Sequence, residues 1–249
     1  MALVEPIPGA PAATADLGEE RGLVIADVHA GVEAAFRSER GINLESRAEE
    51  RRERVLDLVE RTDADRLVVL GDFMHSIGGP GGAERGEIEV LVESLPDGVA
   101  VTLVKGNHDG DIESWIEGVD VTDGAGVRIG AVGFVHGHTW PAPEVLSADV
   151  VCIGHEHPCV RLEDEVGGSR VERVWLRGPL DRTAVADRLD GVEWTDPELI
   201  AFPAYNDLVG GTWVNVAGDD FLAPFLPQGL ADGQAYLLDG TRLGAYGDI

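Results

Sequence analysis

Leu67-Val68-Val69-Leu70-Gly71-Asp72 is a short apolar run that stops abruptly on a glycine and a carboxylate. Four apolar residues in a row, bounded by charged and turn residues, read as a strand buried on both faces, as in a sheet covered by other layers. The same pattern recurs along the chain. Leu23 to Ala26 ends on Asp27-Val28-His29, and Val99 to Val104 leads to Gly106-Asn107-His108-Asp109. Val132 to Val135 ends on His136-Gly137-His138, and Val150 to Ile153 on Gly154-His155-Glu156-His157. Five strands therefore deliver polar clusters at their carboxyl ends. In open α/β sheets that edge is where ligands bind, so clusters far apart in sequence can meet in one site.

The segments between the runs support an α/β (α+β) fold. Ser46 and Glu49 have the spacing of a capping box, and Val55, Leu58 and Val59 supply an apolar stripe, which predicts a helix between the first two strands and hence a βαβ unit. A second, more polar helix is expected from about Ala83 to Ser94. It follows Gly78-Gly79-Pro80-Gly81-Gly82, which reads as a loop near the site. From Val119 onward the apolar segments shorten and glycines punctuate them, predicting a second sheet packed on the first. One domain over residues 1–249 is the expectation for this length, with residues 196–249 completing the fold.

Composition narrows the class. Apolar residues make up 44% of the chain, with no run long enough to span a bilayer, and the N-terminus lacks the basic and apolar regions of a secretory signal. A cytoplasmic protein without a membrane segment is expected. Cys152 and Cys159 form no CxxC pair and read as reduced and structural. Nineteen Lys and Arg against 46 Asp and Glu give a net charge of −27, and Lys105 is the sole lysine. Such self-repulsion is tolerable in molar salt, where the Debye length is about 3 Å. The balance is similar to that of proteins from salt-accumulating archaea, and it argues against a broad basic surface for nucleic acid.

All seven histidines, His29, His75, His108, His136, His138, His155 and His157, fall inside these clusters or three residues past one. A single histidine is more often a satisfied surface or core residue than a ligand. Seven placed this way, with Asp27, Asp72 and Asn107 among them, have the mixed imidazole, carboxylate and carbonyl donors of a two-metal hydrolytic site. Asp27 and His29 can face the same way because alternate residues of a strand do. Asp72 is suited to bridge. Glu156, between two ligands, should point away and be structural, while His138 could face substrate or share a surface with His136.

The order DxH, GD, GNHD, H, GHxH resembles the calcineurin-like metallophosphoesterases in five motifs from Asp27 to His157. The resemblance implies a four-layer double β-sandwich flanked by helices. It also implies two divalent metal ions, one held by Asp27, His29, Asp72 and His157 and the other by Asp72, Asn107, His136 and His155. Manganese is the family-typical ion, and iron, nickel, cobalt or zinc suit the same mixed donors. His108 is assigned by resemblance to the leaving group, with Asp109 or another neighbour fixing its orientation. In Gly71-Asp72-Phe73-Met74-His75-Ser76, His75 stands where protein phosphatases of the superfamily carry aspartate. The pattern is similar to the GDxxHS of SbcD-type and DNA-ligase-associated PdeM-type enzymes, and His75 is expected to act beside His108 as a donor. Phe36-Arg37 with Gly41-Ile42, and Phe202-Pro203-Ala204 before Gly210-Gly211, also resemble the PdeM-type group.

These readings imply a phosphoester substrate, with DNA and repair partners suggested by the resemblance. A phosphomonoesterase or cyclic-nucleotide phosphodiesterase shares the same ligands. A non-catalytic scaffold on this fold would be marked by missing ligands, and here every motif position is filled.

Overall fold

The computed structural model of the chain describes residues 2–77, 79, 81–164, 166–216 and 220–249. The first sheet has six strands, β1 (Val4–Pro6), β2 (Ala12–Asp16), β3 (Arg21–Ile25), β4 (Arg66–Val69), β5 (Ala100–Val104) and β6 (Asp120–Thr122), ordered as in the sequence. Strands β3 to β6 are parallel, so the ends of β3, β4 and β5 lie side by side. The second sheet contains β7 (Val127–Ile129), β8 (Val132–Val135), β9 (Val150–Ile153), β10 (Cys159–Glu163), β11 (Ser169–Pro179), β12 (Glu198–Ala201), β13 (Gln234–Leu237) and β14 (Arg242–Ala245). Its β8, β9 and β12 are parallel neighbours, which brings the ends of β8 and β9 together.

Strand alternation builds the layers. Leu23, Ile25, Leu67 and Val69 face the helices α2 (Ala48–Thr62) and α3 (Gly82–Ser94), meeting Val55, Leu58, Ile88 and Leu91. Their neighbours Val24 and Val68 turn the other way, onto Phe134, Cys152, Trp175 and Phe202 between the sheets. The outer face of the second sheet packs Val151 and Ile153 against Val145 and Leu146 of the short helix α4 (Pro143–Leu146). Each fully buried side chain of this size contributes about 1.5–3 kcal/mol relative to exposure. The expected four-layer, two-sheet fold with flanking helices is present.

Three local expectations change. A helix not expected from the sequence, α1 (Val32–Arg40), precedes α2. The capping box does not form: α2 begins at Ala48, after Arg47, whose N–H is taken by the Glu33 carboxylate at 2.9 Å. A tertiary contact has replaced the local one. Strand β6 pairs with β5, so the first sheet extends past Val119 and the second begins at β7. Of the glycine-rich stretch before α3, Gly78 and Pro80 lie outside the described residues.

A buried ion cluster joins the helices. The Arg51 guanidinium of α2 pairs with Glu33 of α1 at 2.8 Å and Glu87 of α3 at 2.7 Å. Glu87 also accepts the Gly31 N–H, just beyond His29. Removing one partner of such a buried group strands the other's charge, at a cost of about 3–5 kcal/mol. Both cysteines are free and buried. No helix among the described residues is long and apolar enough to cross a membrane.

Candidate metal centre

The loops beyond β3, β4, β5, β8 and β9 converge, and their backbone is unusual. Seven described non-glycine residues have positive φ, and five of them are Asp27, His29, Asp72, His155 and His157. Each costs about 1–3 kcal/mol and persists only where its surroundings hold it, a pattern that concentrates at functional sites. The finding also corrects the expectation that Asp27 and His29 face together by strand alternation. Strand β3 stops at Ile25, and left-handed turns at φ 56° and 45° aim the two side chains.

Two glycines show why the motifs read as they do. A Cβ on Gly71, itself at φ 72°, would lie 2.5 Å from His136 Nδ1. One on Gly106 would collide with the Asp72 carboxylate. Only glycine lets these loops approach His136 and Asp72 so closely.

Asp72 lies at the middle. Its Oδ2 is 3.8 Å from His29 Nε2 and 3.9 Å from His108 Nε2, and its Oδ1 is 3.4 Å from His136 Nε2. Asp27 Oδ1 is 3.2 Å from His157 Nε2, which faces His29 Nε2 at 3.4 Å. Asn107 Oδ1 is 3.2 Å from His136 Nε2, and the His155 ring stands 4.8 Å from that of His136, centre to centre. Three sets of donor atoms each gather within 4.8 Å: Asp27, His29 and His157; His29, Asp72 and His108; and Asp72, His136 and His155.

The donor set fits divalent cations. His136 Nδ1–H donates to the Leu70 carbonyl and His157 Nδ1–H to the Gly210 carbonyl, each at 2.7 Å. That tautomer turns the Nε2 lone pairs inward, and such outer carbonyl partners are the usual support of metal-binding imidazoles. Electrostatics agree. Burial opposes ionisation of Asp72, yet His136 and His29 hold its carboxyl well below the usual range. His157 and His136 likewise outweigh burial at Asp27. In turn Asp72 and Asp27 raise His136 to about 9 despite its burial, and Asp27 raises His157. Burial keeps His29 neutral, pushed down to about 3, and His155 down to about 4. Two buried carboxylates thus call for positive charge, which protonation of His136 meets in part without metal and which bound cations would meet beside the neutral His29 and His155.

The remaining sequence candidates divide. His108 lies at the cleft, with its Nδ1–H donated to the His75 carbonyl and its Nε2 toward Asp72. His75 lies against His29 and His108. Its Nδ1 sits 3.4 Å from His29 Nδ1 and its ring is stacked on His108 at 5.9 Å, so its carbonyl and ring serve its neighbours. Asp109 does not orient His108 directly, because its buried carboxylate accepts the N–H groups of Met74 at 3.1 Å and Gly106 at 2.7 Å. It fastens the second motif loop to the third, and burial raises its carboxyl to about 6. His138 rests beside His136, with Nδ1 buried and unpartnered.

Sequence reasoning missed the supports. Buried Asn206 donates from Nδ2 to the Val28 carbonyl at 2.9 Å, while Tyr205 N–H donates to Ala26 and Asn206 N–H to Asp27. Glu156 does point away from its histidine neighbours, and its carboxylate accepts Leu222 N–H at 2.9 Å, Ala223 N–H at 2.6 Å and the Thr212 hydroxyl at 3.1 Å. The only signal nearby was the pair of short stretches Phe202-Pro203-Ala204 and Gly210-Gly211, which flank these contacts without including Asn206.

Two stacked sheets with histidines and aspartates at five strand ends define the metallophosphoesterase class. Residues 21–159, more than half the chain, match the calcineurin-like phosphoesterase family, and the chain belongs to it. It is a metal-dependent hydrolase acting on ester bonds, as the five motifs imply. Its fold is similar to that of the Pseudomonas putida nuclease MPE, with 20% identity over 96% of this chain and 100% of that one and a TM-score of 0.56. YfcE, a phosphoesterase from E. coli, is 21% identical over 57% of this chain and 73% of its own, with a TM-score of 0.37. No curated protein matches the chain.

Proposed function

We propose that the chain is a two-metal phosphodiesterase. The observation that carries this reading is that Asp72 belongs to two donor sets at once, one with His29 and His108 and one with His136 and His155. Asp27, His29, Asp72 and His157 would hold one ion, and Asp72, Asn107, His136 and His155 the other. When bound, such a pair supplies positive charge to the phosphoryl oxygens and an activated water. The protein's own part is orientation. His108, anchored at Nδ1 by the His75 carbonyl, presents Nε2 to the cleft and gives a proton to the departing oxygen, which requires the imidazolium form. His75 is a positioning residue, acting through His108 and His29. Asp109 keeps the two loops that carry Asp72 and His108 in register.

On this reading the chain resembles the compact PdeM-type phosphodiesterases and works as a single unit with manganese as its ion and DNA as a substrate. The support is the Gly71-Asp72-Phe73-Met74-His75-Ser76 motif and the filled ligand positions. The charge of −27 with one lysine supports a salt-adapted, haloarchaeal origin. The test is a comparison of bis(p-nitrophenyl) phosphate with p-nitrophenyl phosphate in Mn²⁺ and molar KCl, followed by single- and double-stranded DNA. A higher kcat/KM for the diester is expected. Preference for the monoester would replace the reading with a general phosphatase.

A further inference from the structure

The cleft has a wall that the ligand motifs do not supply. Gly210, Gly211, Thr212, Asp220 and Leu222 line the same opening as His29, Asp72 and His108. The wall is built from the metal-binding loop itself. Glu156, between His155 and His157, holds Leu222, Ala223 and Thr212 through its buried carboxylate, and its carbonyl accepts the Thr212 N–H at 3.0 Å. Gly211 lies so close to the His157 carbonyl that no Cβ would fit there. Asp220 is therefore on a surface fixed against the centre.

Charge on this wall is one-sided. None of the described lining residues is Lys or Arg, and Asp220 presents a carboxylate. A phosphomonoester carries close to two negative charges above its second pKa, about 6, whereas a diester carries one. Proteins that select dianionic phosphate commonly use Arg forks, and no Arg is among the described lining residues. Leu222, exposed to 56%, adds apolar surface beside the carboxylate, suited to the second ester substituent that only a diester has.

Resting on the two-metal phosphodiesterase reading, we infer that Asp220 is a specificity-determining residue that repels the dianionic monoester and so favours the diester. Neutralising one charge at a partly solvated site should shift relative turnover about three- to tenfold. The experiment compares wild type, Asp220→Asn and Asp220→Glu, loaded with Mn²⁺ at pH 8. It measures kcat/KM for p-nitrophenyl phosphate and bis(p-nitrophenyl) phosphate, and inhibition by inorganic phosphate.

Asp220→Asn should raise the monoester-to-diester ratio and tighten phosphate inhibition, each about three- to tenfold, with bound metal unchanged. Asp220→Glu should keep the wild-type values. The difference between Asn and wild type should narrow in molar KCl, where exposed charges are screened. An unchanged ratio and unchanged phosphate inhibition in Asp220→Asn would overturn the inference while leaving a diester-preferring enzyme intact. If the wild type itself prefers the monoester, the parent reading falls, and phosphate inhibition alone judges Asp220: tightening supports its role and no change overturns it.

Discussion

The five strand-end loops carry every histidine of the chain, whereas residues 203–223 carry none and still hold two of those loops in place. In the first region Asp27, His29, Asp72, His108, His136, His155 and His157 gather in sets whose donor atoms lie within 4.8 Å of one another. In the second the contacts are mostly to backbone: Asn206 on Val28, the Gly210 carbonyl under His157, and Leu222 and Ala223 on Glu156. Chemistry and support are thus separated along the chain and joined only by folding. Left-handed backbone at Asp27 and His157 is uncommon for any non-glycine residue, although Asp and His adopt it more readily than most, and the outside contacts help to hold it.

If the division is real, damage to the first region should remove activity while damage to the second should loosen it. Asp72→Asn is expected to have the largest effect, on the order of a 10³-fold loss of kcat, because one carboxylate serves both donor sets. Steady-state kinetics at saturating Mn²⁺ would check it, and a loss no larger than that of a single histidine variant would remove the bridging role.

His108→Ala should cost about 10²–10⁴-fold in kcat with metal content unchanged. The loss should shrink for nitrophenolate leaving groups, which need little protonation, and grow for alkoxide ones. Equal losses across leaving groups would dissociate His108 from proton transfer.

Proton linkage separates the regions by pH. His136 is raised to about 9, so in the metal-free protein it holds its second proton at neutral pH, and His157 is raised as well and keeps its own to higher pH than a free imidazole does. A cation on Nε2 must displace them, and apparent Mn²⁺ affinity should therefore climb as pH rises from 6 toward about 9. The sign follows from the raised values: protonation, which opposes metal, weakens with rising pH. Calorimetric titration in two buffers of different ionisation enthalpy should show proton release, and pH-independent affinity would contradict the assignment.

The support region should give a smaller effect. Asn206→Ala leaves the Val28 carbonyl without its partner in a buried site, a destabilisation of about 1–3 kcal/mol. Denaturant melts would measure that loss. Weaker Mn²⁺ binding, about 10-fold as for other outer-sphere losses, should appear with a nearly normal kcat at saturating metal. A wild-type melt and affinity would show that the loop at Asp27 holds itself.

How much was legible follows from the same division. The strands were readable because four to six apolar residues ending on Gly, Asp or His are a local signal, and the observed β3, β4, β5, β8 and β9 fall within a residue or two of the expected runs. The clustering of Asp and His side chains was legible for the same reason. What failed depended on distant partners. The Ser46 and Glu49 capping box was displaced by Glu33 reaching Arg47. Asp109 was expected to orient His108, but the N–H groups of Met74 in the second motif loop and of Gly106 in its own loop claim its carboxylate. Asn206 gave no signal, because a lone asparagine has no period and the Val28 carbonyl that its Nδ2 reaches lies more than a hundred residues away.

The central claim, a centre for two ions bridged by Asp72, is tested most directly by elemental analysis of the folded chain after reconstitution with Mn²⁺, Co²⁺ or Zn²⁺ and removal of free metal. The account predicts two ions per chain in the wild type and a marked loss in Asp72→Asn. A stoichiometry that stays at one or below with all three metals would contradict it.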